Sequence, residues 1–121
     1  MFVYFNPNPC RAEEPDCVVR ALAAATGMTW DAVFNRLCDD AYRHCTMPSA
    51  NWLWGAWLEG RGFTKHLCGD CLTVCEFARK HRKGTFVCCT GSHAVCVRDG
   101  DWMDIWDSGG ERIAYYYGKE E

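Results

Sequence analysis

Cys17 stands where a cysteine can become a nucleophile. It follows Pro15 and Asp16 and begins an apolar run that ends at Gly27. Pro15 prevents a helix from starting earlier, and Asp16 and Gly27 suit its two caps, with the Asp16 carboxylate accepting the first free amides. A thiol in the first turn of a helix lies at the positive end of the helix dipole, which stabilises the thiolate. Taken alone, this segment favours a small buried cysteine in an apolar helix.

A histidine and an aspartate that could activate such a thiol lie on a predicted hairpin. Residues 94–98 and 101–106 have the composition of strands, and residues 99–100 are Asp-Gly, a favoured two-residue turn. In that register His93 begins the hairpin and Asp104 is its diagonal neighbour on the same face. A carboxylate there holds an imidazole in the tautomer and orientation that a general base needs.

The turn type decides which aspartate supports His93. A three-residue turn with Gly100 in a bulge shifts the register by one residue and places Asp107, instead of Asp104, on the face of His93. Each of these residues alone fits an ordinary polar position. A cysteine at a helix start, followed by a histidine and an acid on adjacent strands, nevertheless predicts one site.

The elements that must position these residues occur in the order helices, then strands. A chain of 121 residues suits a single domain, 1–121. Besides the helix of Cys17, periodicity and caps predict helices over 30–44, 48–58 and 74–83 and strands over 1–5, 63–67, 85–89, 94–98, 101–106 and 113–117. This order predicts an α+β fold with N-terminal helices packed on a C-terminal antiparallel sheet.

Composition excludes several classes of protein. The net charge of -3 argues against a nucleic-acid partner, and the basic run 79–83 falls where a helix C-terminus favours cations. The apolar start, residues 1–5, lacks the features of a signal peptide. No stretch approaches the roughly 18 apolar residues that span a bilayer. We therefore expect a cytoplasmic protein with no membrane partner.

The remaining cysteines offer a second chemistry. There are 10 cysteines in all, and in a chain without a secretory signal they are expected to stay reduced. Cys68 and Cys71 form a C-x-x-C pair, which is half of a zinc site, and further ligands could come from His66, Cys75 and one of Cys88 and Cys89. Buried or incidental thiols are the alternative. We expect neither a cofactor nor a bound metal.

Several stretches resemble one family, the small papain-like cysteine peptidase-fold proteins common in phage and gut-bacterial genomes. The similarity covers most of the chain and is carried by residues 6–9 (NPNP), 16–22 (DCVVRAL), 77–78, 84–87, 93–95, 99–100 and 104–107. The resemblance implies a papain-like fold. It also implies Cys17 as nucleophile, His93 as base and Asp104 as the orienting residue.

The resemblance implies an oxyanion donor shortly before the cysteine, usually a glutamine. Position 11 is arginine and the chain contains no glutamine, so Asn8 or Asn6 would serve, with the backbone amide of Cys17 as second donor. The implied activity is hydrolysis of a peptide or amide, including one in a protein. An acyltransferase or transglutaminase would use the same three residues. A non-catalytic binding or host-interaction protein, and a redox or zinc module on Cys68 and Cys71, are the other hypotheses.

Overall fold

The computed structural model describes residues 1–119, which form four helices and a six-stranded mixed sheet. The helices are α1 (Cys17–Thr26), α2 (Trp30–Arg43), α3 (Asn51–Glu59) and α4 (Val74–Lys80). The strands are β1 (Phe2–Tyr4), β2 (Thr64–Leu67), β3 (Thr85–Cys89), β4 (Ala94–Arg98), β5 (Asp101–Asp104) and β6 (Tyr115–Lys119). Their order across the sheet is β1-β5-β4-β3-β6-β2. The predicted α+β class is confirmed.

The predicted arrangement of the sheet is wrong in two respects. The sheet is mixed, because β1 pairs in parallel with β5 and places Tyr4 opposite Asp104. It is also not wholly C-terminal, because β1 begins the chain and β2 and α4 precede β3. The outer strand of a hairpin has a free edge of backbone N–H and C=O groups, and the apolar strand β1 pairs with that edge. Strand composition reveals a strand but not its partner, so the sequence did not indicate this pairing.

Helices cover both faces of the sheet. One apolar cluster joins α1, α2 and α3 to residues such as Cys96, and the other joins α4 to Val95 and Val97. These three residues of β4 alternate between the two faces, as expected of a strand. Cys96 is fully buried and belongs to the core.

Local signals located most helix ends correctly. Gly27 adopts a left-handed φ of 77° and its N–H bonds to the Ala23 carbonyl, and the Thr29 side chain accepts the amide of Ala32. Thr73 and Glu76 form the predicted capping box of α4. Phe34 lies at the helical spacing of the buried residues Val33 and Leu37, yet it is 40% exposed.

Four strands differ in their bounds from the prediction, β1 and β2 by single residues at their ends and β5 and β6 by two residues. Strand β5 ends at Asp104, because the Asp104 side chain accepts the backbone N–H of Ile105 at 2.8 Å. Strand β6 begins at Tyr115, because Ile113 is buried and bonds through its N–H to the Leu72 carbonyl at 2.9 Å. In both places a bond outside the sheet ladder sets the strand end.

Within residues 1–119 no single helix has the length and apolar character needed to cross a membrane. By length and composition alone α1 and α2 pass that test together, with a bend of 116° between them.

Candidate active site

Helix α1 runs along strand β4 and is held by it at both ends. At its start Cys17 and His93, the residue before β4, line the same cavity, and the His93 ring lowers the pKa of the thiol. At its end Arg98, the last residue of β4, donates to the carbonyls of Ala24 at 2.6 Å and Ala25 at 3.4 Å. The last carbonyls of a helix lack intrahelical partners and favour a cation. The two elements therefore run in the same direction and bring Cys17 to His93.

The hairpin places Asp104 behind His93. Asp99 and Gly100 have φ values of 50° and 85°, as a two-residue type I′ turn requires, and Arg98 is opposite Asp101. His93 Nε2 lies 2.6 Å from Asp104 Oδ2. Since Asp104 occupies Nε2, the other ring nitrogen, Nδ1, is left for the Cys17 thiol.

Asp107 is directed elsewhere. Its Oδ1 accepts the indole N–H of Trp102 at 2.8 Å and the amide of Gly109 at 3.0 Å. Of the two aspartates left open by the sequence, Asp104 is therefore the partner of His93, as the two-residue turn predicts.

The Asp104 carboxylate is buried, and each of its two oxygens has two polar contacts. Oδ2 accepts from the His93 ring and from Ser108 Oγ at 2.7 Å, and Oδ1 accepts from the Ile105 amide at 2.8 Å and contacts Arg20 Nη2 at 3.0 Å. Its residue exposure is 0%. Ser108 and Arg20 are site residues that the sequence did not indicate, since neither spacing nor composition links them to Asp104.

The surroundings shift the pKa values of all three groups. Burial opposes each shift, and the hydrogen bonds and charges that the groups exchange outweigh it. The pKa of Cys17 is lowered by the His93 ring, the Ala94 amide and the Arg20 charge, and that of Asp104 is lowered by His93 and Ser108. Asp104 and Cys17 raise the pKa of His93 to about 9. These shifts favour a thiolate and an imidazolium at neutral pH.

The structure thus brings together all three residues that the sequence proposed for acyl chemistry, Cys17, His93 and Asp104. No family model, curated protein or solved structure matches the chain. The chemistry of the site is accordingly argued from its own geometry.

Asp16 does not cap α1 as predicted. Its carboxylate contacts Arg20 Nη1 at 2.5 Å and accepts the indole N–H of Trp30 at 2.8 Å, and it makes no capping bond to the helix. Arg20 and Trp30 displace the helix amides as partners of the Asp16 carboxylate, because Arg20 is charged and both donors are directed at that carboxylate. The first amides of α1, including that of Cys17, have no intrahelical partner and can serve as hydrogen-bond donors at the site.

The two asparagines proposed as oxyanion donors order the loop before α1. Asn8 is 7% exposed, its Oδ1 accepts the Cys10 amide at 2.9 Å, and its Nδ2 donates to Asp16 Oδ2 at 3.5 Å. Asn6 donates to the Ala12 carbonyl at 3.2 Å. Asn8 is thereby held beside the residue that precedes Cys17, and its role as an oxyanion donor stays a prediction.

A cavity of about 210 Å³ opens beside the thiol. Its lining comes from the start of α1, the loop between β3 and β4, Tyr115 and the segment 49–54, and contains no lysine, arginine, aspartate or glutamate. Ser49, Asn51 and Trp54 form the wall from that segment. Trp54 belongs both to the core and to the cavity wall, because it is 2% exposed and in contact with the cavity.

The pair Cys68 and Cys71 gains no further ligands. The Cys68 thiol donates to Asp70 Oδ1 at 3.2 Å, and Cys71 is exposed. Cys88 and Cys89 are buried in different apolar clusters, on opposite faces of β3. Among residues 1–119 no group of three or more His, Cys, Asp or Glu side chains could hold a metal ion.

Proposed function

We propose that this protein is a papain-like cysteine hydrolase, a peptidase or amidase. Cys17 is the nucleophile, His93 the general acid and base, and Asp104 the residue that orients His93. The observation that carries the proposal is the 2.6 Å contact from His93 Nε2 to Asp104 Oδ2, with Cys17 and His93 lining the same cavity. The order of a helix-start cysteine, a histidine before one strand and an acid at the end of the next supports the papain-like assignment.

The proposed reaction has two steps. The Cys17 thiolate attacks the carbonyl carbon of the amide, and the carbonyl π electrons move to oxygen, where the free amide at the start of α1 donates a hydrogen bond. His93 gives its proton to the amine nitrogen as the C–N bond breaks, leaving a thioester. Water then attacks the thioester while His93 takes its proton, and the C–S bond breaks to release the acid and the thiolate.

The cavity supplies a place for the acyl group. It adjoins Cys17 and His93, and uncharged residues such as Ser49, Asn51 and Trp54 form its outer wall. An acyl group with a positive charge would lose hydration there, beside the His93 ring, without gaining a carboxylate partner. The proposal therefore disfavours cationic acyl groups.

Alkylation by iodoacetamide at pH 6, followed site by site with mass spectrometry, tests the proposal. Cys17 should react at least about tenfold faster than the exposed thiols Cys10, Cys45 and Cys71, because only a stabilised thiolate is abundant at that pH. Cys17→Ser should remove the fast reaction. Cys38→Ser is the matched control, since Cys38 is also a half-exposed cysteine on a helix.

Equal reactivity of Cys17 and the exposed thiols would contradict a catalytic role. The protein would then be a binding protein that keeps this fold without the chemistry.

A further inference from the structure

Arg20 is a buried cation between two carboxylates. Its side chain is 3% exposed, Nη1 lies 2.5 Å from Asp16 Oδ1, and Nη2 lies 3.0 Å from Asp104 Oδ1. One carboxylate immediately precedes the cysteine and the other supports the histidine. The guanidinium therefore bridges the two halves of the candidate site.

Burial makes this arrangement costly unless each charge is paired. A guanidinium can hold two carboxylates because its N–H groups form a rigid fork, which a lysine lacks. Helix α2 contains a pair of the same spacing, Asp39 and Arg43, but that pair is exposed on the surface. The burial of Arg20 and its second contact, to Asp104, set it apart from an ordinary pair within a helix.

We propose that Arg20 is the positioning residue that fixes the Asp104 carboxylate toward His93 and joins it to the helix that carries Cys17. The catalytic meaning of this role rests on the proposed function. The geometry itself can be tested without a substrate.

The positioning follows from how the two oxygens of Asp104 are used. Arg20 and the Ile105 amide hold Oδ1, which blocks rotation of the carboxylate and leaves Oδ2 for His93 and Ser108. Arg20 belongs to the same helix as Cys17, one turn further on, so that one rigid helix fixes both the nucleophile and the acid. Trp30 donates to Asp16 and in turn fixes the second carboxylate of the bridge.

The decisive measurement is the NMR signal of the His93 ring N–H that is bonded to Asp104. In the wild-type chain this proton is expected far downfield and protected from exchange with water. Arg20→Gln should move it upfield or broaden it beyond detection, because Asp104 then rotates. Arg43→Gln is the matched control and should leave it unchanged. A folded Arg20→Gln protein with the wild-type signal overturns the proposal.

Arg20→Lys covers the case in which Arg20→Gln fails to fold, as judged by circular dichroism. Lysine keeps the charge but cannot hold both carboxylates, so the signal should shift or broaden here too, and an unchanged signal again overturns the proposal. Alkylation of wild-type Cys17 judges the proposed function separately. An unreactive Cys17 contradicts the hydrolase, whereas the His93 signal alone decides the role of Arg20.

Discussion

Two regions of this chain carry cysteines whose types and spacing suggest chemistry, and the structure treats them differently. At the Cys17 site, side chains from helix α1, the loop before β4 and the end of β5 meet, and the acid among them is fully buried. In the segment 68–75 the cysteines lie on one stretch of chain, and Cys71 is exposed. A motif gains a chemical environment only when distant parts of the fold enclose it.

The two regions also move thiol pKa values in opposite directions. Burial would raise the pKa of Cys17, but the His93 ring and nearby positive groups outweigh it and lower that pKa. Burial and the hydrogen bond with Asp70 raise the pKa of Cys68. A partner that carries positive charge favours a thiolate, whereas a carboxylate favours the thiol. The partner, and not the cysteine motif, decides reactivity.

The largest effect is expected from removing that partner. His93→Ala should slow hydrolysis of an amide substrate roughly 10²–10⁴-fold, the usual contribution of a positioned general acid or base. In the same protein Cys17 should lose its fast alkylation at pH 6, while alkylation of Cys68 should not change. If Cys17 in the His93→Ala protein is alkylated as fast as in the wild type, His93 is not the cause of the difference in thiol reactivity between the two regions.

Asp104→Ala should cause the largest loss of stability. It leaves Arg20 buried without one of its two partners, and breaking a buried ion pair costs about 3–5 kcal/mol. Asp70→Ala, which removes an exposed contact to Lys80 at 3.7 Å, should leave stability unchanged. Urea denaturation at pH 7 measures both free energies of unfolding, and equal losses would contradict the contrast between the regions.

The stability supplied by His93 should depend on pH. Its pKa rises from 6.5 to about 9 on folding, so its contribution to the free energy of unfolding is complete below pH 6.5 and is lost as the pH rises through about 9. The stability gap between wild type and His93→Gln should therefore narrow from pH 6 to pH 9.5 in urea denaturation. If the stability gap widens over this range, folding lowers the pKa of His93 and the prediction is wrong.

A smaller effect is expected where the segment 68–75 enters α4. Thr73→Ala removes the side chain that accepts the amide of Glu76 at 3.3 Å, and loss of such a cap costs about 1 kcal/mol. Thr46→Ala is the control, because no hydrogen bond of its hydroxyl is found within residues 1–119. Thermal denaturation compares the two, and equal melting temperatures would argue against the cap.

The smallest effect concerns zinc. Replacing both Cys68 and Cys71 with serine should leave the melting temperature unchanged, and wild-type protein purified without chelator should contain far less than one zinc per chain. Metal analysis by mass spectrometry measures this content. Near-stoichiometric zinc that disappears in the double variant would restore a metal role for the segment.

Sequence reasoning succeeded where the signal is local. The residues Asp99 and Gly100 define the turn and thereby the register that sets Asp104 beside His93. Gly27 and Thr73 likewise locate helix ends through bonds to residues close in the chain. A short sequence window contains all the groups that compete for these positions.

Sequence reasoning failed where groups far apart in the chain compete for the same partner. Asp16 has the composition of an N-cap, but Arg20 and Trp30 take its carboxylate, and Trp30 belongs to the next helix. Strand β1 is recognisable, yet its parallel pairing with β5 depends on which sheet edge is free. No local pattern placed the segment 49–54 beside Cys17. These outcomes depend on packing, which no local pattern encodes.

That wall has a consequence for how the protein can change over time. Ser49 and Asn51 line the cavity but belong to a segment that holds none of the three reacting residues, whereas Trp54 is also tied into the core. In a hydrolase built this way, mutation of Ser49 or Asn51 alters which acyl groups are admitted and leaves the reaction centre intact. Natural selection or laboratory evolution can therefore retune selectivity at these positions independently of turnover.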